Sequence, residues 1–226
     1  MSHFLERLIC AVKEPVVMKR QIEHRPSSPF IPIPDKEITM SRLISCLNGF
    51  LKDNTTVIAE PGDPLFGSLD LQVHGMAEFL SPAYYASLGF AVPAAIGVQL
   101  ATPHRRPLAL VGDGSFQMTG MELSVAARYG LNPIVVVLNN GGYATFRSMI
   151  DGGFNDIPPW NYADIAHIIG KDTAGYRVST EGELSEALLS ANENTTSPSI
   201  IEVCLEKHDF SERLRLLTTA LKNRIK

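Results

Sequence analysis

Residues 107–115 read PLALVGDGS and residues 134–143 read IVVVLNNGGY, and these two stretches decide the fold. The run Ile134–Leu138 is apolar with no polar alternation, as expected of a strand that is buried on both faces. The run Pro107–Val111 is equally apolar. Each run is followed at once by glycine and polar residues, which indicate a loop. The pattern therefore predicts two buried strands whose carboxyl ends lead into glycine-containing loops.

The rest of the chain alternates between helical and extended patterns. Thr39 is a candidate helix cap, and Thr119 and Thr180 each precede a glutamate at the spacing of a capping box. Strands that alternate with helices indicate an α/β fold in which a parallel sheet carries helices on both faces. The predicted strands are 55–59, 107–111, 134–138 and 199–203, and the predicted helices are 40–52, 85–101 with a bend at Pro93, 119–130, 180–191 and 209–224.

The first 38 residues differ from the rest of the chain. Residues 3–13 show apolar positions at helical spacing, and four prolines fall within residues 25–34. Because proline fixes φ and removes a backbone donor, the second segment is predicted to be an extended linker. We therefore divide the chain into residues 1–38, an N-terminal helix and proline-rich linker, and residues 39–226, which form one domain.

The composition narrows the possible partners. The 226 residues are 45% hydrophobic and 19% charged, which is typical of a globular chain. The net charge of −4 offers no basic surface, so nucleic acid is not an expected partner. Three cysteines, Cys10, Cys46 and Cys204, lack the spacing of a metal site and indicate free thiols in a reducing, cytoplasmic compartment.

Residues 79–103 contain no Asp, Glu, Lys or Arg and are long enough to cross a bilayer. Pro82, Pro93 and Pro103 interrupt this run. A helix buried under the sheet explains the composition better than a membrane span, so no membrane is expected. Where the same region is exposed, its apolar side chains predict a face that a second copy or a partner chain covers.

The two loops carry the candidate chemistry. Ligands of open parallel sheets bind outside the carboxyl ends of the strands. The first loop lacks the lysine of a P-loop, and Gln117 replaces the last glycine of a dinucleotide-binding fingerprint. Asp113 offers a carboxylate, Asn140 an amide oxygen, and Gly141 and Gly142 offer carbonyls. Such hard oxygen ligands suit Mg²⁺, although either loop taken alone is more often a simple turn.

The two loops taken together indicate a particular family more specifically than either loop alone. The segment Gly112-Asp113-Gly114, followed after 24 residues by Asn139-Asn140, resembles the signature of thiamine diphosphate enzymes. The likeness runs from about Thr39 to Lys207 and looks closest to 2-oxo acid decarboxylases of the indolepyruvate and phenylpyruvate branch. The further segments that resemble these decarboxylases are Ala59–Asp63, Tyr84–Phe90, Phe116–Thr119 and Phe154–Ile157 with Trp160 and Tyr162.

The resemblance implies a set of cofactor contacts in the diphosphate-binding domain of the thiamine diphosphate fold. Asp113 and Asn140 would ligate Mg²⁺ through their side chains and Gly142 through its carbonyl, and the metal would anchor the diphosphate. No catalytic residue is assigned within this chain, and His74, His104 and His167 are interpreted as surface or packed histidines. The other expected contacts are Gly114 and Ser115 at the diphosphate, Leu88 as the wedge under the bent cofactor, the Ala86 carbonyl at the 4′-amino group, Asp63 near the pyrimidine, and Ser87, Tyr143, Ala144 and Thr145.

The implied reaction is the decarboxylation of a 2-oxo acid to an aldehyde and CO₂. In the family, the glutamate that activates the cofactor lies on a separate pyrimidine-binding domain. We therefore expect this chain to be a fragment, a split subunit or a remnant of a longer enzyme. For activity it would need a pyrimidine-binding domain or subunit, in a homo- or hetero-oligomer. Residues 3–34 resemble the end of the middle domain and its linker.

One position departs from the pyruvate decarboxylases, which have a glutamate three residues after the tyrosine of the second loop. Phe146 stands at that spacing here. Either the pocket is enlarged for aromatic substrates, or a proton relay has been lost. Two other functions stay open: a carboligase of the acetolactate synthase type, against which residues 154–162 argue, and a catalytically inactive interaction module.

Overall fold

The computed structural model describes His3, Glu6, Arg7, residues 29–73 and residues 75–224. The rest of the predicted helix over residues 3–13, most of the proline-rich segment, Cys10 and His74 lie outside these described residues. Residues 29–33 have no regular secondary structure, and Ile33 and Ile38 hydrogen bond to the domain that follows. The division of the chain after residue 38 stays a prediction.

The described residues form one parallel sheet with helices. The strands are β1 (Thr55–Ala59), β2 (Glu78–Leu80), β3 (Arg106–Gly112), β4 (Ile134–Asn139), β5 (Ala174–Val178) and β6 (Ser199–Cys204). The helices are α1 (Met40–Phe50), α2 (Asp63–Ser68), α3 (Ala91–Ala101), α4 (Asp113–Thr119), α5 (Leu123–Arg128), α6 (Ala144–Met149), α7 (Ile165–Ile169), α8 (Glu181–Glu193) and α9 (Glu212–Arg224).

The six strands lie in the order β2-β1-β3-β4-β6-β5, and every neighbouring pair is parallel. The predicted α/β fold with a parallel sheet is therefore confirmed. From β1 the chain adds β2 on one side and then β3 on the other. This reversal of direction creates the crevice at the carboxyl edge in which parallel sheets hold their ligands.

Apolar side chains fill both faces of the sheet. Within β4, Ile134, Val136 and Leu138 join the core under α1 and α8, whereas Val135 and Val137 join the core under α3, α5 and α7. All five side chains are buried, which explains why the strand shows no polar alternation. Helices therefore cover both faces, and the carboxyl edge of the sheet is left for the loops.

The helix predicted over residues 85–101 begins at Ala91 instead, so its first turns were wrongly placed. Glu60, directly after β1, accepts hydrogen bonds from the backbone amides of Gly89 (2.7 Å), Phe90 (3.2 Å) and Ala91 (2.6 Å). These amides form the amino end of α3, and an acceptor from a distant part of the chain sets where a helix begins. Apolar spacing alone cannot reveal such a partner.

The capping box predicted at Thr119 and Glu122 is also wrong. Helix α4 already begins at Asp113, and Thr119 is its last residue. The Thr119 hydroxyl donates to the Gly89 carbonyl at 3.0 Å instead of capping the next helix. A short 3₁₀ turn, Gly120–Glu122, then leads into α5. The side chain is thus used to fix the loop before α3.

Two other predicted caps are confirmed. The Thr39 hydroxyl accepts from the amide of Arg42, and Thr180 and Glu183 form a complete capping box at the start of α8. Strand 55–59 has the predicted bounds, whereas the helix predicted over residues 119–130 is shortened to α5 (Leu123–Arg128). Apart from the start of α3, the other predicted strands and helices shift by one to three residues at their ends. The structure adds the short elements β2, β5, α2, α4, α6 and α7, which the sequence pattern did not predict.

The described part of the chain contains no helix with both the length and the apolar character needed to cross a bilayer. Within the uncharged stretch, Ala91–Ala101 is a helix with one face buried against the sheet, and Leu100 on its other face is exposed. Between β2 and this helix the chain forms a loop in which Tyr84 and Tyr85 are almost fully exposed. The expected apolar surface therefore lies in the loop before α3.

Candidate cofactor site

The loops after β1, β3 and β4 enclose a cavity of about 390 Å³ at the carboxyl edge of the sheet. It lies beside the point where the strand order reverses. Every predicted cofactor residue except Ser87 lines it: Asp63, Ala86, Leu88, Asp113, Gly114, Ser115, Asn140, Gly142, Tyr143, Ala144 and Thr145. The structure therefore brings together residues from four separate segments of the sequence.

Asp113 lies at the base of this cavity, where β3 passes directly into α4. Its carboxylate accepts from the amide of Gly114 at 2.7 Å and from the amide of Gly142 at 3.0 Å. Burial raises the pKa of Asp113 to about 6, while these backbone hydrogen bonds lower it. The side chain is thus a buried carboxylate held between the two loops, with a strong preference for a positive partner.

Asn140 lies in the turn that follows β4 and lines the same cavity. Its side-chain oxygen Oδ1 is buried and has no hydrogen-bond partner among the described residues. A buried acceptor without a partner costs about 1–3 kcal/mol, and native structures rarely leave one without a reason. An amide oxygen beside a buried carboxylate is a donor set that suits a hard divalent cation.

Gly142 allows the turn to approach its neighbours closely. Its φ is +151°, and a Cβ placed there would lie 2.0 Å from the Asn155 carbonyl oxygen. The neighbouring Tyr143 amide donates to that same Asn155 carbonyl at 2.9 Å. A side chain at position 142 would push the turn away from Asn155, so the glycine is required by the geometry of the loop.

Gly114 has a similar role on the other side of the cavity. A Cβ at this position would lie 2.8 Å from the ring of Tyr143. Gly114 and Ser115 belong to the first turn of α4, whose backbone amides have no acceptors within the helix. The Gly114 amide already donates to the Asp113 carboxylate, which leaves the Ser115 amide in this first turn to donate to an anion that enters the cavity.

The loop before α3 forms another wall. Ala86 has a φ of +52°, the one positive value at a described residue other than glycine. A backbone in this region costs of order 1 kcal/mol and is kept where the surrounding structure imposes it. Leu88 is 38% exposed and lines the cavity, so it is not an ordinary core leucine. Glu60, which the sequence argument did not single out, anchors this loop through the amides at the start of α3.

Asp63 lines the cavity at the start of α2, but its carboxylate already accepts hydrogen bonds from within the protein. Both of its oxygens accept from the backbone amide of Ser211, at 3.2 and 3.0 Å, and the Ser211 hydroxyl donates to it as well. Burial raises the pKa of Asp63, although the Ser211 contacts lower it. In this structure the residue ties the start of α2 to the segment before α9.

Arg147 is the main site residue that the sequence argument missed. It lies on α6 with its side chain buried, and its guanidinium donates to the backbone carbonyls of Asn140 and Gly141. The nearby Asp156 accepts from it at 2.8 Å, and the hydrogen bonds from Lys207 and from Arg147 hold the pKa of Asp156 below its usual range. The position of Arg147, six residues after Gly141, does not by itself predict a contact with the turn, so the sequence carried no signal for it.

Phe146 lines the cavity together with Tyr143, and its side chain is 58% exposed. Leu65, Met149 and Leu217 provide further apolar lining, the last from helix α9. This wall contains no carboxylate at the position where pyruvate decarboxylases have a glutamate. His104 and His167 are exposed and lie outside the cavity, as their interpretation as surface residues requires.

Comparison with known proteins agrees with this arrangement. Residues 66–203 match the family described as thiamine pyrophosphate enzyme, C-terminal TPP binding domain. The chain belongs to this family. The predicted resemblance to thiamine diphosphate enzymes is thereby confirmed, and the matched residues contain both glycine loops of the cavity.

Individual relatives of this thiamine pyrophosphate-binding domain are decarboxylases by name. A Schizosaccharomyces pombe protein named "Probable pyruvate decarboxylase Pdc101" is 32% identical over 220 residues, covering 95% of this chain and 39% of that protein. The indole-3-pyruvate decarboxylase of Azospirillum brasilense is 39% identical over 159 residues, covering 70% of this chain and 28% of that protein. The chain thus spans well under half the length of these relatives.

A solved structure shares the fold. The thiamine diphosphate-dependent 4-hydroxybenzoylformate decarboxylase of Rhodococcus jostii RHA1 superposes with a TM-score of 0.68 at 26% sequence identity. The match covers 79% of this chain and 36% of that one. Sequence and fold therefore point to the same class of thiamine diphosphate proteins.

Proposed function

We propose that this chain is the diphosphate- and Mg²⁺-binding part of a thiamine diphosphate-dependent 2-oxo acid decarboxylase, with aromatic 2-oxo acids as the favoured substrates. The observation that carries the proposal is the buried Oδ1 of Asn140, which has no partner among the described residues and belongs to the same cavity lining as the buried Asp113 carboxylate. The two residues follow neighbouring strands, so one cation could be reached by both.

The metal would be held by Asp113, Asn140 and the Gly142 carbonyl. Magnesium prefers oxygen ligands in an octahedral arrangement and usually keeps positions for substrate phosphate oxygens and water. A cation there would relieve the cost of the buried carboxylate and of the unpaired amide oxygen together. The diphosphate would lie against Gly114 and Ser115, at the amino end of α4.

The remaining predicted contacts would shape the cofactor. Leu88 stands at the cavity wall where a bulky side chain would hold thiamine diphosphate in a bent conformation. Ala86 would accept from the 4′-amino group through its carbonyl. When bound, the cofactor supplies the electron sink that makes loss of CO₂ possible. This chain contributes binding, orientation and a largely apolar cavity; Ser87, Tyr143, Ala144, Thr145 and Asp63 remain proposed contacts.

Activity would also require a pyrimidine-binding domain, on a longer chain or on a separate subunit. The exposed Tyr84 and Tyr85 beside the cavity are suited to such a contact, because large exposed apolar patches mark interaction sites. We propose an oligomer in which that partner completes the cofactor pocket. A cytoplasmic location is supported by the free thiols of Cys46 and Cys204.

Aromatic substrates are favoured because of Phe146. This side chain, with Leu65 and Met149, makes one wall of the cavity apolar. An aromatic side chain of the substrate would gain from contact with that wall, whereas pyruvate offers only a methyl group. The name of the Azospirillum brasilense relative, an indole-3-pyruvate decarboxylase, supports this choice of substrate class.

Calorimetry with thiamine diphosphate tests the proposal. The 226-residue chain should bind the cofactor with Mg²⁺ present and lose binding when EDTA removes the metal. Asp113→Asn should abolish the Mg²⁺-dependent binding, while Asp172→Asn, at an exposed aspartate outside the cavity, should leave it unchanged. Equal binding by the Asp113→Asn variant would overturn the assignment of the metal site.

A further inference from the structure

Arg147 combines burial with an unusual set of partners. Its side chain is 0% exposed, although a buried cation is costly unless its donors are paired. Nη1 donates to the carbonyls of Asn140 and Lys207, both at 3.3 Å, and Nη2 donates to the Gly141 carbonyl at 3.2 Å. Backbone carbonyls from two separate segments therefore converge on one guanidinium.

These contacts fix the turn that carries two of the proposed metal ligands. The carbonyl of Asn140 is directed at Arg147, while its side-chain oxygen is left without a partner. On the far side of the turn, the Gly142 amide donates to Asp113 and the Tyr143 amide donates to Asn155. Successive peptide groups of the turn are thus oriented by hydrogen bonds before any metal binds.

The charge of Arg147 is balanced within the protein. Asp156 Oδ1 lies 2.8 Å from Arg147 Nη2 and 2.8 Å from the Lys207 ammonium, and Asp151 lies 3.8 Å from Arg147 Nε. Nε makes no hydrogen bond among the described residues, so the pairing is through the two Nη groups, and the two aspartates leave the guanidinium little net charge to offer a diphosphate. What it does provide is a rigid, planar fork of donors, which a lysine cannot reproduce.

We infer that Arg147 is a positioning residue for the metal-binding turn at positions 140–142. Its fork holds the Asn140 and Gly141 carbonyls, and this orients the Asn140 side chain and the Gly142 peptide group as ligands. The Gly142 carbonyl also accepts from the Ala144 amide at 3.0 Å, and its second lone pair is available to a cation. The inference rests on the proposed function, because it assumes that a cation binds at this turn. The role is geometric and acts through the turn; Arg147 itself touches neither metal nor cofactor.

Calorimetry of two variants tests whether Arg147 acts through the shape of its guanidinium or only through its charge. Arg147→Lys keeps the charge but loses the fork, and we expect its dissociation constant for thiamine diphosphate with Mg²⁺ to rise about tenfold or more. Arg128→Lys, at an exposed arginine on α5 that does not line the cavity, should bind as the wild type does. Unchanged affinity in Arg147→Lys would overturn the inference.

Amide hydrogen exchange of the cofactor-free chain provides a readout that does not depend on binding. In Arg147→Lys, the Gly142 amide should exchange about tenfold faster, while Ala95 in the middle of α3 keeps its wild-type rate. An unchanged Gly142 rate, or an equal acceleration at Ala95, would contradict a local positioning role. If the wild-type chain fails to bind thiamine diphosphate, the proposed function fails, and the exchange rates still decide whether Arg147 orders the turn.

Discussion

At the scale of single residues, the cavity contains two buried polar groups that lack a hydrogen-bond donor or a positive charge within the described residues. Asn140 has a buried oxygen without a partner among the described residues, and burial raises the pKa of Asp113 to about 6. Both features cost folding free energy, and both would be relieved by a bound cation. Sites that trade stability for function are expected to show such local conflicts.

Asn140→Leu should therefore stabilise the chain in the absence of cofactor. Leucine has a similar volume and removes the unpaired oxygen, so the free energy of unfolding should rise by about 1 kcal/mol. Urea denaturation without cofactor measures the change. The matched control is Asn48→Leu: its amide donates to the Asp70 carbonyl and accepts from the Gln72 amide, so that variant should lose stability. A loss of stability in Asn140→Leu as large as in the control would contradict the interpretation.

Gly142→Ala should destabilise the same turn. The added Cβ would lie 2.0 Å from the Asn155 carbonyl oxygen at a φ of +151°, and we expect a loss of about 2 kcal/mol or more. Gly153→Ala is the control, because a Cβ at that position meets no atom within 4 Å. Thermal unfolding compares the two variants; equal midpoints would show that the turn tolerates a side chain.

At the scale of elements, buried carboxylates connect parts of the fold that are distant in sequence. Glu60 holds the amino end of α3, and Asp63 holds the segment before α9. Glu181 joins α8 to α1, since Arg42 Nε donates to it at 2.7 Å and Nη2 at 2.5 Å, and it also accepts from the Ile33 amide. Each contact sets the boundary or orientation of a helix.

The Glu181 contact makes stability depend on acid pH. The hydrogen bonds from Arg42, supported by the Ile33 amide and Lys36, lower the pKa of Glu181 from the usual 4.5 to about 2. The unfolded chain therefore takes up the proton first, and the stabilisation is present above about pH 4.5 and is lost as the pH falls towards 2. Urea unfolding between pH 6 and pH 3 should show a shallower decline in Glu181→Gln than in the wild type. Glu186→Gln, at an exposed glutamate on the same helix, should follow the wild type, and identical slopes in all three would refute the link.

The long buried elements could be predicted from the sequence because their signal is local. Strand β4 has an unbroken apolar run, and Thr180 with Glu183 forms the capping box that its spacing indicates. The start of α3 and the role of Thr119 could not be predicted, because Glu60 and Gly89 act on them from other segments. Strands β2 and β5 were not predicted for another reason. They are short edge strands with exposed positions and no continuous apolar run.

The candidate site was predictable to the extent that its residues follow strands in sequence. Asp113 and Asn140 each come directly after a buried run, so a parallel sheet necessarily brings them to one edge. Arg147 contacts the same turn by folding back onto it from α6, and Asp63 turns out to be paired with Ser211. Neither arrangement follows from spacing, since both depend on how helices pack after the sheet has formed.

At the scale of the whole molecule, the sheet carries the candidate site at its carboxyl edge only, as far as the described residues show. A second cavity of about 250 Å³ lies at the opposite, amino edge of the strands and contains none of the predicted site residues. There, Arg106 donates to the carbonyls of Ala191, Asn192 and Asn194, which ends α8 against the sheet. The division of roles between the two edges is typical of open parallel sheets.

The 226-residue chain with thiamine diphosphate and Mg²⁺ should release no measurable CO₂ from phenylpyruvate. Help from an activating carboxylate is worth about 10²–10⁴ in rate, and we expect that group on the pyrimidine-binding domain. Adding such a domain from a relative should restore turnover, with phenylpyruvate preferred over pyruvate because Phe146 replaces a charged residue. Phe146→Glu should shift the preference towards pyruvate. Robust decarboxylation by the chain alone would refute the need for a partner.

We propose above that Asp113, Asn140 and Gly142 hold a magnesium ion that anchors thiamine diphosphate. The most direct test is a crystal structure of the chain grown with thiamine diphosphate and Mg²⁺, with Mn²⁺ substituted so that anomalous scattering locates the metal. We predict one metal within about 2.2 Å of the Asp113 carboxylate, Asn140 Oδ1 and the Gly142 carbonyl oxygen, bridged to the diphosphate. A metal bound elsewhere, or a cofactor outside the cavity between the loops after β3 and β4, would contradict the account.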